Sequence, residues 1–346
     1  MTAPTPGSTL SRERMEDLTR RAAGRRVVVV GDVMLDRYLR GDTDRLSPEA
    51  PVPVVTVREA HAALGGAANV AANVVAIGAT CALVGVVGDD NHGRAIRGEL
   101  AAHRLDDRYL LTVAGRPTTT KTRVMARGQQ IVRIDEEVET LLEGEELGRL
   151  SRLALDALDG ADALLLEDYN KGALPPALIH SLISAARGRG LPVVVDPKFR
   201  QFFEYRGATV FKPNRRELEA ALGAQVNLAH TNALPEALSR LQADNLLLTL
   251  GADGMVLVTK DHAVTHIPSL AREVFDVSGA GDTVTAWVGT MLAAGASVRE
   301  AAALANYAAG IEVGKAGVAT VSPAEVLAVH ENVHDQIGRL RRGGLL

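Results

Sequence analysis

Along the chain, continuous apolar runs alternate with segments of helical spacing, and polar residues gather where the runs end. Arg26-Val27-Val28-Val29-Val30-Gly31 is a β-branched run closed by glycine, the pattern of a strand buried on both faces of a parallel sheet. Residues 81–87 repeat it and end at Gly88-Asp89-Asp90. From residue 147 the two periods alternate. Helices are predicted over 147–158, 175–186 and 217–222, with strands over 163–166, 192–195, 208–211 and 245–249 between and after them. A hairpin partner follows at 255–259, and 284–292 forms a buried helix. Asp32, Asp168, Asp196, Asn214 and Gly251 all stand at predicted carboxyl ends of strands. That recurrence predicts an α/β fold: a doubly wound, mostly parallel sheet flanked by helices, with ligands along one edge.

Two stretches break the alternation. Residues 37–62 are punctuated by Gly41, Asp42, Asp44, Pro48, Pro51 and Pro53, then read as an edge strand over 52–57. Residues 109–135 carry two short β-type runs around Thr118–Val124. Together they predict a small β lid outside the main layer, a device that excludes water from transfer chemistry. Residues 1–24 read as a polar tail with a peripheral helix over 11–23, residues 25–335 as one domain, and 336–346 as a C-terminal tail.

Composition narrows the function classes. The 346 residues are 47% hydrophobic, enough for a large core. Acidic residues outnumber basic ones, 42 to 38, so no broad basic footprint for nucleic acid exists, and aromatics at 3% leave few stacking platforms. The single cysteine, Cys81, lies in an apolar run and reads as a buried thiol. No signal peptide or long uncharged apolar segment appears, which predicts a soluble cytoplasmic protein with no membrane partner. His262/His266 and His330/His334 are four apart but lack the further ligands of a zinc site.

The candidate chemistry centres on Asp276-Val277-Ser278-Gly279-Ala280-Gly281-Asp282-Thr283. Small residues before a helix let a phosphate approach backbone N–H groups at the positive end of the helix dipole. Asp282, in the first turn, is placed to take a proton from a hydroxyl. Gly65-Gly66 ahead of an alanine-rich helix offers a second set of amides, with Asn69 one turn in. Asn214-Arg215-Arg216-Glu217 has two readings: a capping box, or an organiser of hydrated Mg²⁺ beside nucleotide phosphates. Lys121, Arg123, Arg127 and Lys198 are either solvated or converge on an anionic group of the substrate.

Four motifs in this order, Gly65-Gly66-Ala67-Ala68-Asn69, Asn214-Arg215-Arg216-Glu217, Thr249-Leu250-Gly251-Ala252-Asp253-Gly254 and Asp276–Asp282, resemble the ribokinase-like (PfkB carbohydrate kinase) family over roughly residues 25–330. The resemblance implies a ribokinase-like fold and transfer of the γ-phosphate of ATP to a sugar or similar alcohol. By it, Asp282 is the catalytic base, and the amides of Gly279, Ala280 and Gly281 form the anion hole. By the same resemblance Asn214 and Glu217 position Mg²⁺ through water, and Arg215, Arg216, Thr249, Gly251, Gly254, Ser278 and Asn306 match the nucleotide side. A monovalent cation such as K⁺, held by backbone carbonyls, belongs to many relatives.

A finer resemblance, to the heptose-7-phosphate kinase branch, rests on Gly31–Tyr38, Ser47–Val54, Thr120–Val124, Asp168–Gly172 and Asp196-Pro197-Lys198. It implies phosphorylation of D-glycero-D-manno-heptose 7-phosphate at the anomeric C1 hydroxyl, for ADP-heptose and lipopolysaccharide synthesis. Asp32, Asp36, Gly65, Gly66, Asn69, Lys121, Arg123, Asp168 and Lys198 are then the expected sugar-phosphate contacts. Bifunctional relatives add a nucleotidyltransferase domain with a His-x-Gly-His motif; the motif does not occur in this sequence, so kinase activity alone is expected. Ser278 stands where the family motif usually has Thr, and Ala252-Asp253 and Val318-Ala319 also depart from the branch. The alternatives are another PfkB-type kinase acting on ribose, fructose or a nucleoside, and a non-catalytic sugar- or nucleotide-binding regulator. Lids of this family often pair between subunits, which implies a homodimer through the lid.

Overall fold

A computed structural model of the chain describes residues 10–228, 232–271, 274–315 and 317–330; the N-terminal tail and the stretch 336–346 lie outside them. In chain order the elements are α1 (Arg12–Ala22), β1 (Arg26–Gly31), β2 (Val33–Leu46), β3 (Pro53–Gly66), α2 (Ala67–Ile77), β4 (Thr80–Gly88), α3 (Asn91–Ala102), β5 (Leu110–Val113), β6 (Thr120–Ala126) and β7 (Gln129–Glu136). Then follow α4 (Gly144–Ala157), β8 (Ala163–Glu167), α5 (Pro176–Gly188), β9 (Val193–Asp196), β10 (Val210–Phe211), α6 (Arg215–Leu222), α7 (Ala233–Leu241), β11 (Leu246–Thr249), β12 (Met255–Val258), β13 (Val264–Ile267), α8 (Ala280–Ala293) and α9 (Val298–Glu312).

Among the described residues the main sheet runs β13-β12-β11-β10-β9-β8-β1-β4-β5. It is parallel from β11 to β5, and β12 and β13 add antiparallel at one edge. Because side chains alternate along a strand, Val27, Val29, Leu165 and Val194 face one buried layer. Val28, Val30, Leu164 and Val195 face the other. The first layer is filled from α2, α8 and α9, with Trp287 fully buried; the second from α4, α5 and α7. Both faces are covered, which is why these strands read as unbroken apolar runs.

The register of the central strands places the site. Gly31 pairs with Glu167, and Glu167 with Asp196, so β1, β8 and β9 end level with one another. Asp32, Glu167, Asp196 and Lys212 therefore stand side by side at one sheet edge.

The lid is larger than its punctuation suggests. β2 and β3 form a long antiparallel ribbon in which Val33 opposes Gly66 and Leu46 opposes Pro53. Gly41 and Asp42 lie inside β2, where register shifts after Arg40 and Asp42 absorb the irregularity that reads in sequence as a loop. β6 adds parallel to β2, and β7 antiparallel to β6. The other lid expectation needs correcting at its start: residues 110–113 are β5, paired in parallel with β4 in the main sheet, so the second lid segment begins at Thr120. Cys81 is only partly buried, and its thiol pKa is pushed up by the burial it has.

Candidate active site

Helix α8 begins behind a turn that only glycine adopts readily: its N-cap, Gly279, has φ +95°, and the chain then enters eleven largely buried positions. The first N–H groups of a helix have no intrahelical acceptor, and that of Ala280 has only a long contact of 3.5 Å to the Val277 carbonyl. An anion seated here meets unpaired amides and the dipole together.

Asp282 lies in the first turn and is buried. Its Oδ2 accepts from Asn69 Nδ2 at 2.8 Å, and its Oδ1 from the Tyr169 hydroxyl at 2.6 Å. Asn69 is itself fixed, its Oδ1 accepting from Asn73 Nδ2 at 3.2 Å. Burial pushes the Asp282 carboxyl up to about 6, against the pull of those two donors. A carboxylate with that poise, held on both oxygens, suits a general base near neutral pH.

Behind it sits a buried charged cluster. Glu167, Asp196 and Asp282 each bring a carboxylate oxygen within 4.8 Å of the others. Lys212, 2% exposed, pairs with Asp196 at 3.0 Å. Burial alone would lower the Lys212 pKa; Asp196 and Glu167 more than offset that and keep it charged. Glu167 is fully buried, and neither oxygen has a hydrogen-bond partner among the described residues; the nearby Thr285 hydroxyl donates instead to the Gly281 carbonyl at 3.1 Å. Burial, then Asp196 and Asp282, drive the Glu167 pKa well up. The ammonium of Lys212 also reaches the turn: a Cβ on Gly281 would lie 3.6 Å from Lys212 Nζ.

From this cluster a cavity of about 480 Å³ runs outward past Asn214 and Glu217 to Thr249, Gly251, Gly254 and Asn306. Its volume is that of a small-molecule or cofactor site. Gly254 has φ +87°, and a Cβ there would lie 2.2 Å from the Ile267 carbonyl. Asn306 donates to the Pro268 carbonyl at 2.8 Å, fixing the segment that roofs the cavity. Gly279, Ala280, Gly281 and Lys198 line it as well.

Both readings of the Asn214 motif meet here. Asn214 Oδ1 accepts from the Glu217 N–H at 2.9 Å and Glu217 Oε2 from the Asn214 N–H at 2.8 Å, a complete capping box. The other Glu217 oxygen pairs with Lys198. The motif thus faces the cavity with its carboxylate already engaged, whereas Glu167, its oxygens unpartnered among the described residues, and Asp196, paired with Lys212, bring oxygen donors of the kind a divalent cation takes beside Asp282. Arg215 and Arg216 do not line the cavity; Arg215 spends its donors on Glu219 at 2.9 Å and the Val226 carbonyl at 3.1 Å. Ser278 is likewise outside it, its N–H held by Asp276 at 2.9 Å.

The residues expected around the acceptor divide. Asp32 accepts three backbone N–H groups, from Tyr169 at 2.7 Å, Lys171 at 2.9 Å and Ala173 at 3.0 Å. Its carboxylate shapes the loop after β8, which carries Tyr169 to Asp282. Gly66, with φ +55°, lies where a Cβ would meet the Asp32 carbonyl at 2.4 Å, so the ribbon can turn directly into α2. A Cβ on Gly65 would press on Asp36 at 2.4 Å, and Asp36 pairs with Arg123. Asp168 accepts from the Tyr205 hydroxyl at 2.8 Å, and burial raises its carboxyl to about 6. The basic residues do not converge on one point: Arg127 pairs with Asp44, Lys198 with Glu217, and Lys121 with Asp135 and Glu137. Sequence reasoning missed Tyr169, Glu167 and Lys212 as site residues, and placed Asp196 at a strand end without giving it a role. Their signal was position, since each sits at or just past the end of a central strand.

Glu312, near the end of α9, is fully buried with both oxygens unpartnered among the described residues. It faces the same turn, 3.2 Å from where a Gly279 Cβ would be. Burial, reinforced by Asp276 and Asp282, raises its carboxyl to about 8. A carboxyl protonated in the folded chain and ionised in the unfolded one costs stability as pH rises from its ordinary 4.5 toward 8. Glu312→Gln is therefore expected to raise the melting temperature by about 5 °C at pH 8.5 and by under about 2 °C at pH 5. A gain equal at both values, read by calorimetry, would show that Glu312 does not titrate in this window.

Residues 25–325 match the model of the pfkB family of carbohydrate kinases. The chain is 46% identical over 309 residues to the bifunctional protein HldE of Rhodospirillum rubrum, covering 88% of this chain and 62% of that one. It is 44% identical over 321 residues to the HldE of Trichlorobacter lovleyi, covering 92% and 65%. This chain thus spans less than two thirds of the length of these relatives. Among solved structures, Arabidopsis thaliana ribokinase complexed with ribose and ATP superposes with a TM-score of 0.70 at 22% identity, over 89% of this chain and 99% of that one. The fold is shared, and the family match over residues 25–325 spans both the sheet edge and the helix that carries Asp282. The chain belongs to the pfkB family of carbohydrate kinases.

Proposed function

We propose that this chain transfers the γ-phosphoryl group of ATP to the anomeric C1 hydroxyl of D-glycero-D-manno-heptose 7-phosphate, giving the 1,7-bisphosphate used for ADP-heptose. The observation that carries the reaction is Asp282, held by Asn69 and Tyr169 at the amide-rich start of α8, where a nucleotide-sized cavity ends. Asp282 takes the proton of the attacking hydroxyl. The α8 amides and Lys212 neutralise charge on the phosphoryl group in flight, which is where electrostatic catalysis has most effect. Mg²⁺ supplies further neutralisation when bound with ATP; Glu167, whose oxygens are unpartnered among the described residues, and Asp196 would hold it beside the Asn214–Glu217 motif. The acceptor rests on the resemblance of the strand-end and lid motifs to the heptose-7-phosphate branch, supported by about 45% identity to the HldE proteins.

Homodimerisation through the lid is part of the same reading. Val52, Val57, Ile131, Val132 and Ile134 of the lid are exposed, and both β3 and β7 are sheet edges. Among the described residues no helix is long and apolar enough to cross a membrane. A panel of acceptors with Mg²⁺ and ATP tests the proposal: heptose 7-phosphate should be turned over, with unphosphorylated heptose, ribose and fructose 6-phosphate at least about tenfold poorer in kcat/KM. Equal or better turnover of ribose or fructose 6-phosphate would overturn the acceptor assignment and leave the kinase chemistry standing.

A further inference from the structure

We propose that Lys121 and Lys171 form the seat for a phosphomonoester on the acceptor, and that the Glu137 carboxylate occupies this seat until the phosphate displaces it. This rests on the sugar-phosphate reading above. Lys121 comes from lid strand β6, and Lys171 from the loop after β8, fifty residues later in the chain. They meet on one carboxylate: Lys121 Nζ lies 3.0 Å from Glu137 Oε2, and Lys171 Nζ 2.8 Å from Glu137 Oε1. Exposed ion pairs are worth little by themselves. Here the lysine side chains are only 18% and 11% exposed, and two ammonium groups divide the two oxygens of one anion, as they would those of a phosphate.

The charge balance singles out Glu137. Neighbouring Asp135 is held by Arg133 at 2.8 Å, and Glu139 by Arg200, so each has an arginine of its own besides a lysine. Glu137 pairs only with the two lysines among the described residues. Lys121, Lys171, Arg133 and Arg200 thus face the three carboxylates of Asp135, Glu137 and Glu139 with one positive charge in excess, and a phosphomonoester dianion in place of Glu137 balances it. Glu137 also lies just past β7, outside its ladder, so its side chain can leave without breaking the sheet. The seat is tied to the chemistry by a short span. The Lys171 N–H donates to Asp32, and Tyr169, two residues earlier, donates to Asp282. Arg123, which the sequence also offered for this role, is committed to Asp36.

The test is binding of inorganic phosphate by calorimetry, with Mg²⁺ and a non-hydrolysable ATP analogue filling the nucleotide side, in the wild type, Glu137→Gln, Lys121→Met and Lys171→Met. Removing the competing charge should tighten phosphate binding by about three- to tenfold, and each lysine change should weaken it by about tenfold. In parallel, each lysine variant should raise KM for heptose 7-phosphate while leaving that for unphosphorylated heptose within about twofold. Melting temperatures identify any variant that has lost its fold, and Glu137→Gln, whose predicted gain cannot come from unfolding, decides the matter in that event. Phosphate affinity in Glu137→Gln equal to or weaker than wild type, or no binding in either, overturns the seat. Phosphate binding that shifts as stated in a protein that phosphorylates no sugar phosphate keeps the seat and removes the acceptor assignment. Normal turnover of heptose 7-phosphate with unmoved KM values does the reverse.

Discussion

Asp282→Asn is expected to lower kcat by about 10²–10⁴-fold, the usual contribution of a positioned general base, while the protein folds and binds ATP as before. The shape of the side chain is kept. Asn69 and Tyr169 surround both terminal atoms of residue 282, and the tyrosine hydroxyl can rotate to accept from a carboxamide. Removing the charge also relieves a buried site that already holds Glu167 and Asp196. The melting temperature at pH 7.5 should therefore stay level or rise. Activity lost together with the fold would point to a structural role for Asp282; activity retained at the wild-type level would remove it as the base.

Lys212→Met is the substitution with the largest expected effect on stability. Its side chain and that of Asp196 are 3% and 5% exposed, so their 3.0 Å pair is largely shielded from solvent. Taking away the ammonium leaves carboxylates packed together in a buried site. Breaking a buried pair in this way costs about 3–5 kcal/mol, a drop of roughly 10 °C in melting temperature for a domain of this size. Phosphoryl transfer should fall as well, because Lys212 stands beside Gly281 at the start of α8. The origin of the cost can be checked by a second change. Adding Glu167→Gln should recover much of the stability of Lys212→Met but none of its activity. A melting temperature for Lys212→Met within about 2 °C of wild type would mean that the cluster is neutralised by protons and not by the lysine.

The central sheet was legible because its strands are buried on both faces, so burial leaves an unbroken apolar run that nothing else in the chain imitates. The residues that follow those runs were legible for the same reason: a strand end is a place where a polar side chain is either wasted or used. The lid was legible only in outline. Gly41, Asp42 and Asp44 are loop residues by propensity, yet a two-stranded ribbon with bulges accommodates them, and pairing decided the outcome. β5 was assigned to the lid because a four-residue strand carries no mark of which sheet it joins.

Within the site, Asp282 and the Gly279–Gly281 turn were legible because helix start, small residues and acid are all local. Lys212 was not. Its meaning depends on β10 lying next to β9, which brings it to Asp196 sixteen residues away. Tyr169 was missed for a related reason: its hydroxyl reaches Asp282 across 113 residues of sequence. Arg215 and Arg216 erred the other way. They share a motif with Asn214 and Glu217, but the turn of α6 carries Arg215 toward Glu219 and leaves neither arginine on the cavity.

The phosphorus spectrum of the purified protein with ATP, Mg²⁺ and D-glycero-D-manno-heptose 7-phosphate decides both the reaction and the acceptor. A new anomeric phosphate signal coupled to H1 of the sugar is expected, with the 7-phosphate signal retained and one ADP formed per bisphosphate. ATP consumed with a new phosphate at any other position, or no transfer to this sugar while another acceptor is phosphorylated, would contradict the assignment.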